Sequence, residues 1–335
     1  MAVKSSRTSR SRSACSAGLR PYHSTRSCSF ASGMGAAARA GRRAHDTAEG
    51  VRTLLFLPHT RGRRPDRAAP VVRASLHSAS RHRLRGAPNA VATGRSSMRI
   101  AVIGAGAMGR WAVKELALSP EVEEIVVGDY NEEQARAVAT THGGDKAKAM
   151  FVDAREPESV KKAIVGCGAM INATQHFWNI TVMHAAAAAG VHYTDMGGLF
   201  HVTKQQVELD GEFRKAGVTA VIAMGGAPGV TNVLARYGAE RLDTVEEAHA
   251  YCGNVDDTDW SRYDGWVVPY SLETLCDEFS VAAPQFIDGK WNTDIVGGTG
   301  LEDVDFGAPA GILEAHHTIH SEPFSFWHTW KDQGL

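Results

Sequence analysis

The stretch MRIAVIGAGAMGR, residues 98–110, joins a short run of apolar and β-branched residues to glycines spaced G-x-G-x-x-G, at Gly104, Gly106 and Gly109. In this pattern the first glycine permits a tight turn, the second lets the backbone approach a pyrophosphate, and the third lets a helix pack closely on the strand. The amides at the start of that helix then face the phosphates. The stretch therefore predicts the strand–turn–helix opening of a dinucleotide-binding domain. The other residues of the predicted phosphate loop are Ala105, Ala107 and Met108.

Asp129 ends the second predicted strand, EEIVVGD (123–129), at the usual distance from the glycines for an acid that bonds the ribose hydroxyls of a dinucleotide. A carboxylate at this place repels a 2′-phosphate, and no arginine follows immediately. The sequence thus favours NAD as cofactor, with NADP less favoured. An exposed turn residue is the alternative interpretation of Asp129.

Strand and helix patterns alternate with short loops from residue 98 to residue 240. Such alternation predicts an α/β fold of the Rossmann type, with a doubly wound parallel sheet. Residues 241–335 have a different texture and predict a second α+β domain that binds substrate. Its strand-like segments are VEEAHAYCG (245–253), PQFIDGKWNTDIV (284–296) and ILEAHHTIHSEPFSF (312–326).

Ligands of an open parallel sheet bind beyond the carboxyl ends of its strands, so the residues after each strand are candidates for the site. Asn172 and Thr174 suit the nicotinamide ribose and carboxamide, and loop capping is an equally good interpretation. Gly226 lies in a second glycine-rich turn, GGAPGVTN (225–232), that either presents amides to an anionic substrate group or only reverses the chain. The remaining cofactor candidates at strand ends are Asp153 and Ala173.

Four motifs together resemble the saccharopine dehydrogenase family. They are VIGAGAMG (102–109), INATQHFWN (171–179), GVHYTDMGGLFHVTKQQ (190–206) and MGGAPGVTNVLARY (224–237). Within the family, ETLCDEF, DGKW and TIHSE add a similarity to the lysine 6-dehydrogenases. The resemblance implies a Rossmann domain, a substrate domain and a homo-oligomer. It also implies oxidative deamination of an amino-acid amine, and with lysine as substrate the product is the 6-semialdehyde. Such relatives continue beyond the HSE segment, so we expect a C-terminally incomplete substrate domain.

Two other functions fit the same motifs. One is a reductase of the saccharopine or carboxynorspermidine type that uses NADPH. The other is an inactive relative that binds NAD without catalysis. Cofactor preference and the length of the accepted substrate distinguish the reductase from a deaminating enzyme.

Amine oxidation requires a base, because hydride leaves a carbon only when the attached nitrogen is neutral. Asp195 ends the fifth predicted strand and is the candidate base. Tyr193 shares its face of the strand and is a second polar contact, whereas His192 points away. On the HHTIHSE segment (316–322), alternation predicts one strand face that binds an amino-acid head group, and a solvated face is an equally good interpretation. The members of that face are His316, His320 and Glu322.

The charge of the chain is unevenly divided. Residues 1–98 hold 19 of the 36 basic residues and three of the 37 acidic ones, which leaves residues 99–335 with a net charge of −17. An acid-poor, Arg/Ser-rich start over residues 1–97 is typical of an organelle transit peptide. A disordered tail, or upstream sequence before a true start at Met98, explains it equally well. A start at Met98 predicts a cytoplasmic protein, and a transit peptide predicts a mitochondrial or plastid one.

The acidic body lacks the basic excess of a nucleic-acid binder, and its apolar runs are too short for a membrane span. Cys167, Cys252 and Cys276 lie far apart without a C-x-x-C pattern, so neither a metal site nor a disulfide framework is expected. The expected partner is a small amino-acid substrate.

Overall fold

The computed structural model describes residues 2–3, 98–265, 267 and 271–332. Nearly all of the predicted leader therefore lies outside the described residues. In chain order the strands are β1 (Ala2–Val3), β2 (Met98–Ile103), β3 (Val122–Asp129), β4 (Ala147–Phe151), β5 (Ala169–Asn172), β6 (His192–Asp195), β7 (Ala220–Val221), β8 (Gly253–Asn254), β9 (Gln285–Ile287), β10 (Lys290–Asn292), β11 (Glu302–Asp305) and β12 (Ile312–Ala315). The helices are α1 (Gly109–Leu118), α2 (Glu132–Val138), α3 (Pro157–Ile164), α4 (Asn179–Ala189), α5 (Phe200–Glu208), α6 (Asp210–Ala216), α7 (Val230–Ala239), α8 (Leu272–Ser280) and α9 (Glu322–Trp330).

Six strands form one parallel sheet in the order β4-β3-β2-β5-β6-β7. This is the strand order of a Rossmann fold, and it confirms the predicted fold class. The register pairs Ile103 with Asn172 and Asn172 with Asp195, so the carboxyl ends of β2, β5 and β6 are level. The predicted cofactor residues are thereby brought to one edge of the sheet.

Both faces of this sheet are buried, which explains why its strands are apolar without alternation. Val102 of β2 packs with Val113 of α1 on one face. Ala101 and Ile103 point to the opposite face and pack with Val160 of α3. The two cores hold the glycine-rich turn between β2 and α1.

The region after α7 contains small antiparallel pairs and two helices, in agreement with a predicted α+β domain. β9 and β10 form a hairpin whose turn is Asp288-Gly289, with φ of 51° and 73°. β11 pairs with β12, and β1 pairs in parallel with β8. The ring of Phe200 lies 5.0 Å from Trp291 and 5.9 Å from Phe324 between ring centroids, so aromatic contacts fasten the hairpin and α9 to α5.

Three expectations about elements are wrong. The segment 312–326 is a strand only over β12, and it continues through a loop into α9. Pro323 at the second position of α9 suits a helix start, because a proline there sacrifices no helical hydrogen bond. The pattern FHVTKQQVELDGEFRKAG, residues 200–217, predicts one helix that ends at a glycine, but the structure divides it into α5 and α6 at Leu209. Segment 245–253 forms a strand only where β8 begins.

Candidate active site

The three fingerprint glycines meet three different surroundings. Gly104 has a φ of 100°, and a Cβ built on it would lie 2.6 Å from the backbone of Ala173. A Cβ on Gly109 would lie 1.7 Å from the carbonyl oxygen of Gly104. A Cβ on Gly106 would meet nothing within 4 Å. The turn and the helix packing therefore need glycine for the protein's own sake, whereas Gly106 leaves open space that fits a pyrophosphate.

Gly106, Ala107 and Met108 form the exposed part of the loop, at the start of α1. Ala105 differs, because it is buried and its amide donates a hydrogen bond of 2.7 Å to Oδ2 of Asp129. The other oxygen of Asp129 accepts from the amide of Asn131 at 2.8 Å. The predicted ribose ligand therefore lies directly beside the phosphate loop.

Asp153 follows β4 and forms a close ion pair with Arg155, a residue that our sequence reasoning missed. The Nη2 of Arg155 lies 2.6 Å from Oδ2 of Asp153, and its Nε donates to Oδ1 at 2.8 Å. The hydrogen bonds from Arg155 hold the pKa of Asp153 below its usual value. The guanidinium also lies 4.8 Å from the ring centroid of Tyr130, the residue after Asp129. A cation and an aromatic ring thus lie beside Asp129 and Asp153, two acids predicted to contact the cofactor.

Asn172 is buried and fully engaged with protein groups. Its Nδ2 donates to Oδ1 of Asn179 at 2.9 Å and to the Tyr193 hydroxyl at 3.0 Å. Its Oδ1 accepts from the amide and the hydroxyl of Thr174, at 3.1 and 2.7 Å. The predicted direct contact of Asn172 with the cofactor is therefore corrected, because Asn172 holds Thr174, which is half-buried at the end of β5.

Asp195 is also buried, with 2% of its surface exposed. Its Oδ1 accepts from the amides of Gly197 and Ala223, at 2.9 and 2.8 Å. Its Oδ2 accepts from the Tyr193 hydroxyl at 2.9 Å and from Nε2 of Gln206 at 2.6 Å. Each carboxylate oxygen already has two donors, so Asp195 has no acceptor position left for a substrate proton. The structure corrects the predicted base to a residue that holds β6, the loop after β7 and α5 together.

Tyr193 and Asp195 do share a face of β6, as alternation predicted. That face points into the protein, and 2% of Tyr193 is exposed. Burial, together with the charge of Asp195, raises the pKa of the Tyr193 hydroxyl well above its usual value. The predicted contact of Tyr193 with substrate is corrected, because its hydroxyl is buried and bonded to Asn172 and Asp195.

His320 and Glu322 form a pair where the last loop enters α9. Nδ1 of His320 hydrogen-bonds Oε2 of Glu322. Oε1 of Glu322 accepts from the Thr231 hydroxyl at 2.7 Å, and Thr231 is the second residue of α7, which follows the GGAPG turn. Beside this contact, Nδ2 of Asn232 donates to the Ser325 hydroxyl at 2.6 Å. The GGAPGVTN and HSE motifs therefore meet in space.

A second carboxylate, that of Glu278, also acts on this pair. Burial pushes the pKa of His320 down, but Glu322 and then Glu278 outweigh it, so the pKa lies above its usual value. Burial also disfavours the charge on Glu322, but His320 and the Thr231 hydroxyl outweigh it and hold the pKa of Glu322 below its usual value. A histidine–carboxylate pair, with the carboxylate bonded to Thr231, therefore lies at the start of α7.

Two other predicted substrate residues, His316 and Gly226, lie apart from the pair of His320 and Glu322. β12 ends at Ala315, so no strand face unites the three residues of the HHTIHSE segment as predicted. The ring of His316 packs instead on Phe279 of α8, with 4.6 Å between ring centroids. The prediction that His316 shares a substrate-binding face with His320 and Glu322 is therefore wrong. Gly226 is exposed, and a Cβ on it would meet nothing within 4 Å, so its backbone is accessible.

Helix α8 links the strand ends to the last loop. Gln175, after β5, donates from Nε2 to Oε2 of Glu273 at 3.4 Å. Nε2 of His176 lies 3.7 Å from Oδ2 of Asp277, and burial holds the pKa of His176 below its usual value. The one sequence signal for this contact was the position of QHFWN directly after a strand.

Among the residues that the structure describes, no group of three or more His, Cys, Asp or Glu residues is arranged to hold a metal ion. No helix within the same residues combines the length and apolar character needed to cross a membrane.

Comparison with known proteins identifies relatives of the dinucleotide-binding part. Residues 100–221 match the family model described as the saccharopine dehydrogenase NADP binding domain, which confirms the resemblance for the three motifs that lie within this range. A carboxyaminopropylagmatine dehydrogenase from Synechocystis sp. (strain ATCC 27184 / PCC 6803 / Kazusa) is 24% identical over 202 residues, which are 58% of this chain and 50% of that protein. The chain therefore spans about half the length of the curated relative that it matches.

Solved structures with lower sequence identity resemble the chain in part. The apo saccharopine dehydrogenase (L-Glu forming) of Saccharomyces cerevisiae has a TM-score of 0.47 and 16% identity, over 71% of this chain and 53% of that chain. A UDP-N-acetylglucosamine 3-dehydrogenase of Acidithiobacillus ferrooxidans has a TM-score of 0.33 and 20% identity, over 44% of this chain and 43% of that chain.

Proposed function

Since residues 100–221 form a domain of the saccharopine dehydrogenase family, we propose that the chain is an NAD(P)-dependent oxidoreductase that acts on the amine of an amino acid. The observation that carries the proposal is the phosphate loop, where Gly106 alone of the three glycines faces open space. A loop built in this way serves a ligand that approaches the backbone closely. When bound there, the dinucleotide supplies a hydride acceptor.

The residues around the loop divide the work of binding. The amides of the exposed loop hold the pyrophosphate, and Asp129 bonds the adenosine ribose. Thr174, held by Asn172, contacts the nicotinamide end at the carboxyl edge of β5. The accessible backbone of Gly226 and the pair of His320 and Glu322 line the substrate side.

We propose oxidative deamination of L-lysine to its 6-semialdehyde as the reaction. The motifs HYTDMGG and TIHSE support it through their similarity to the lysine 6-dehydrogenases. The second candidate is chemistry at a secondary amine, in the manner of a saccharopine or carboxynorspermidine reductase with NADPH. The named activity of the Synechocystis relative favours this candidate, because that name also describes a substituted amine.

The test is an absorbance assay for reduced cofactor with the full chain. Lysine, other amino acids, saccharopine and carboxyalkylated diamines are compared with NAD and with NADP. Turnover of lysine with NAD supports deamination. Turnover of only the substituted amines supports the second candidate. Cofactor binding without turnover of any amine contradicts both and leaves the inactive relative.

Asp129 provides the test of cofactor preference. Asp129→Ser removes the charge that repels a 2′-phosphate, so the ratio of the Kd for NADPH to the Kd for NADH is expected to fall by roughly tenfold or more. Asp210→Ser, in an exposed pair with Arg214 on α6, is the matched control. An unchanged ratio would show that Asp129 does not bond the ribose.

A further inference from the structure

Oxidation of an amine requires a proton acceptor within reach of the substrate nitrogen, and Asp195 does not qualify because four protein donors occupy its oxygens. We infer that His320 is this proton acceptor, with Glu322 and Thr231 as positioning residues. The inference rests on the proposed amine oxidation. It is carried by three independent features of the pair: its orientation, its exposure and its place in the fold.

The orientation leaves one ring nitrogen of His320 available. Nδ1 is engaged with Glu322, and a hydrogen on Nδ1 leaves the lone pair on Nε2. Glu322 is itself fixed by the Thr231 hydroxyl at 2.7 Å. A histidine oriented by a carboxylate, which is oriented in turn by a third group, is a common arrangement for a base.

His320 is more exposed than Glu322, as a base and its supporting carboxylate require. The side chain of Glu322 is 4% exposed, whereas that of His320 is 20% exposed. The carboxylate is therefore shielded as a support, while the imidazole retains an accessible part. Tyr193 and Asp195, by comparison, are each 2% exposed.

The place in the fold is the nicotinamide half of the sheet edge. Thr231 follows the turn after β7, whose neighbour β6 is level with β5. Helix α8 contacts the loop after β5 through Glu273 and Asp277. The pair is thus built onto the edge where a Rossmann domain exposes its ligand.

Charged groups from each neighbouring element set the proton affinity of His320. Glu322 acts from α9 and Glu278 acts from α8, and both raise the pKa of His320 against the effect of burial. The Cys252 thiol lies near the same two carboxylates, and burial and then their charges raise its pKa, so it stays neutral. His320 is therefore deprotonated only above its usual titration range, which agrees with a substrate ammonium as proton donor.

The step assigned to His320 is a single proton transfer. An N–H bond of the substrate ammonium breaks, its electron pair stays on nitrogen, and the proton forms a bond to Nε2. The neutral amine then has the lone pair that becomes the second bond of the C=N product when hydride leaves the adjacent carbon. Water then adds to that carbon and loses one proton to solvent, and protonated His320 returns its proton to the nitrogen. The C–N bond breaks with its electron pair on the departing ammonia, while the hydroxyl loses its proton to solvent as the C=O bond forms.

The first experiment replaces the ring but keeps the contact to Glu322. In His320→Asn the amide N–H takes the place of Nδ1–H, and no acceptor remains at the position of Nε2. We expect kcat/KM for lysine to fall by about two to four orders of magnitude, with the Kd for NADH unchanged. His249→Asn changes a histidine that is paired with Glu247 elsewhere in this region, and it is the matched control.

The second experiment follows titration rather than turnover alone. In the wild type, the acidic limb of kcat/KM and the ¹⁵N imidazole shift of His320 are expected to share one midpoint above the ordinary histidine value. Glu322→Gln removes the charge that raises it, so both midpoints move to lower pH. Because Glu322 is buried and its variant can misfold, Thr231→Val is the second test, with about tenfold lower kcat/KM. Thr231→Ser restores it.

The outcomes separate this inference from the proposed function. If His320→Asn turns over lysine like the wild type, the inference fails while the amine oxidation stands. If NADH binding falls as much as turnover, the role of His320 is structural, and the inference is overturned. If His176→Asn instead abolishes the acidic limb, the base is His176. If no amine is oxidised by the wild type, the proposed function fails and the inference fails with it.

Discussion

Gly106 and Gly109 are three residues apart in one motif, yet opposite surroundings explain why each is a glycine. A Cβ on Gly109 would overlap the backbone of Gly104, whereas a Cβ on Gly106 would enter the open space where we propose that the pyrophosphate binds. One glycine therefore belongs to the stability of the fold and the other to binding. This difference is measurable at the level of single methyl groups.

We expect Gly106→Ala to leave the thermal midpoint nearly unchanged and to weaken NADH binding by tenfold or more, because its methyl group enters the pyrophosphate space. Gly109→Ala should lower the free energy of unfolding by roughly 3–5 kcal/mol, since its Cβ overlaps the Gly104 carbonyl. Gly211→Ala is the control, because it also meets open space and lies in a helix. Thermal melts measure the stability of each variant, and fluorescence titrations measure NADH binding. An equal loss of stability in Gly106→Ala and Gly109→Ala would contradict this prediction.

Asp195→Asn tests whether this residue supports the fold, as the structure indicates, or catalyses. The Asn amide places an NH₂ group against two donors that bonded a carboxylate oxygen in the wild type, which should cost about 1–3 kcal/mol of stability. Turnover should then follow the folded fraction. A normal thermal midpoint with turnover lowered by two to four orders of magnitude would restore Asp195 as the base.

The sequence allowed the local part of the site to be predicted, because glycine spacing and the acid at a strand end act within one strand–turn–helix unit. It did not show that Asp195 is buried. Its donors include Ala223 and Gln206, which come from other elements, and only the packed sheet brings their N–H groups to one carboxylate.

At the scale of elements, the contact of α9 with α7 depends on a charged pair, so its contribution to stability depends on pH. The pKa of His320 is raised, so its contribution is fully present below 6.5, the ordinary value, and is lost as pH rises through the raised value. The pKa of Glu322 is lowered, so its contribution is present above 4.5 and is lost as pH falls through the lowered value.

We therefore expect the thermal midpoint to be highest between about pH 4.5 and 6.5, as far as this pair decides it, and to decline at higher pH. In Glu322→Gln the decline should become shallower, because the partner charge is gone. Differential scanning fluorimetry across this range provides the measurement, with Glu240→Gln, on an exposed pair of α7, as control. Parallel curves for wild type and Glu322→Gln would contradict the assignment.

Element prediction succeeded where burial on both faces imposed apolar strands, as in β2 and β3. It failed at residues 312–326, where apolar and polar residues alternate as in a strand. The start signal at Ser321-Glu322-Pro323 was local, but its weight became clear only from the packing of Phe324 and Trp330 against neighbouring elements. Short strands such as β8 depend on a distant partner and carry little signal of their own.

At the scale of the molecule, we predict that residues 1–97 are dispensable for folding of the rest. Their charge and lack of apolar periodicity support this expectation. Of these residues the structure describes Ala2 and Val3, which pair with β8 and also contact β12. Protein that starts at Met98 should therefore melt within about 4 °C of the full chain. A larger fall would show that the leader belongs to the folded unit.

The substrate side of the site could not be assembled from the sequence, because Thr231 and Glu322 are 91 residues apart. Each motif was recognised as a candidate, but their contact follows from the path of the chain through α8, β9 and β10. Resemblance to a family supplied the motifs, and only the folded chain supplied their pairing.

Asp129 and Asp153 belong to one contact network, and the pair of His320 and Glu322 belongs to another, within the described residues. Asp129 and Arg155 are held by neighbours on β3, β4 and the glycine loop, whereas His320 is held from α7 and α9. Substitutions in networks that share no partner tend to add independently. If these residues have the proposed roles, a substitution that changes cofactor preference should leave substrate preference unaltered, and the reverse should also hold.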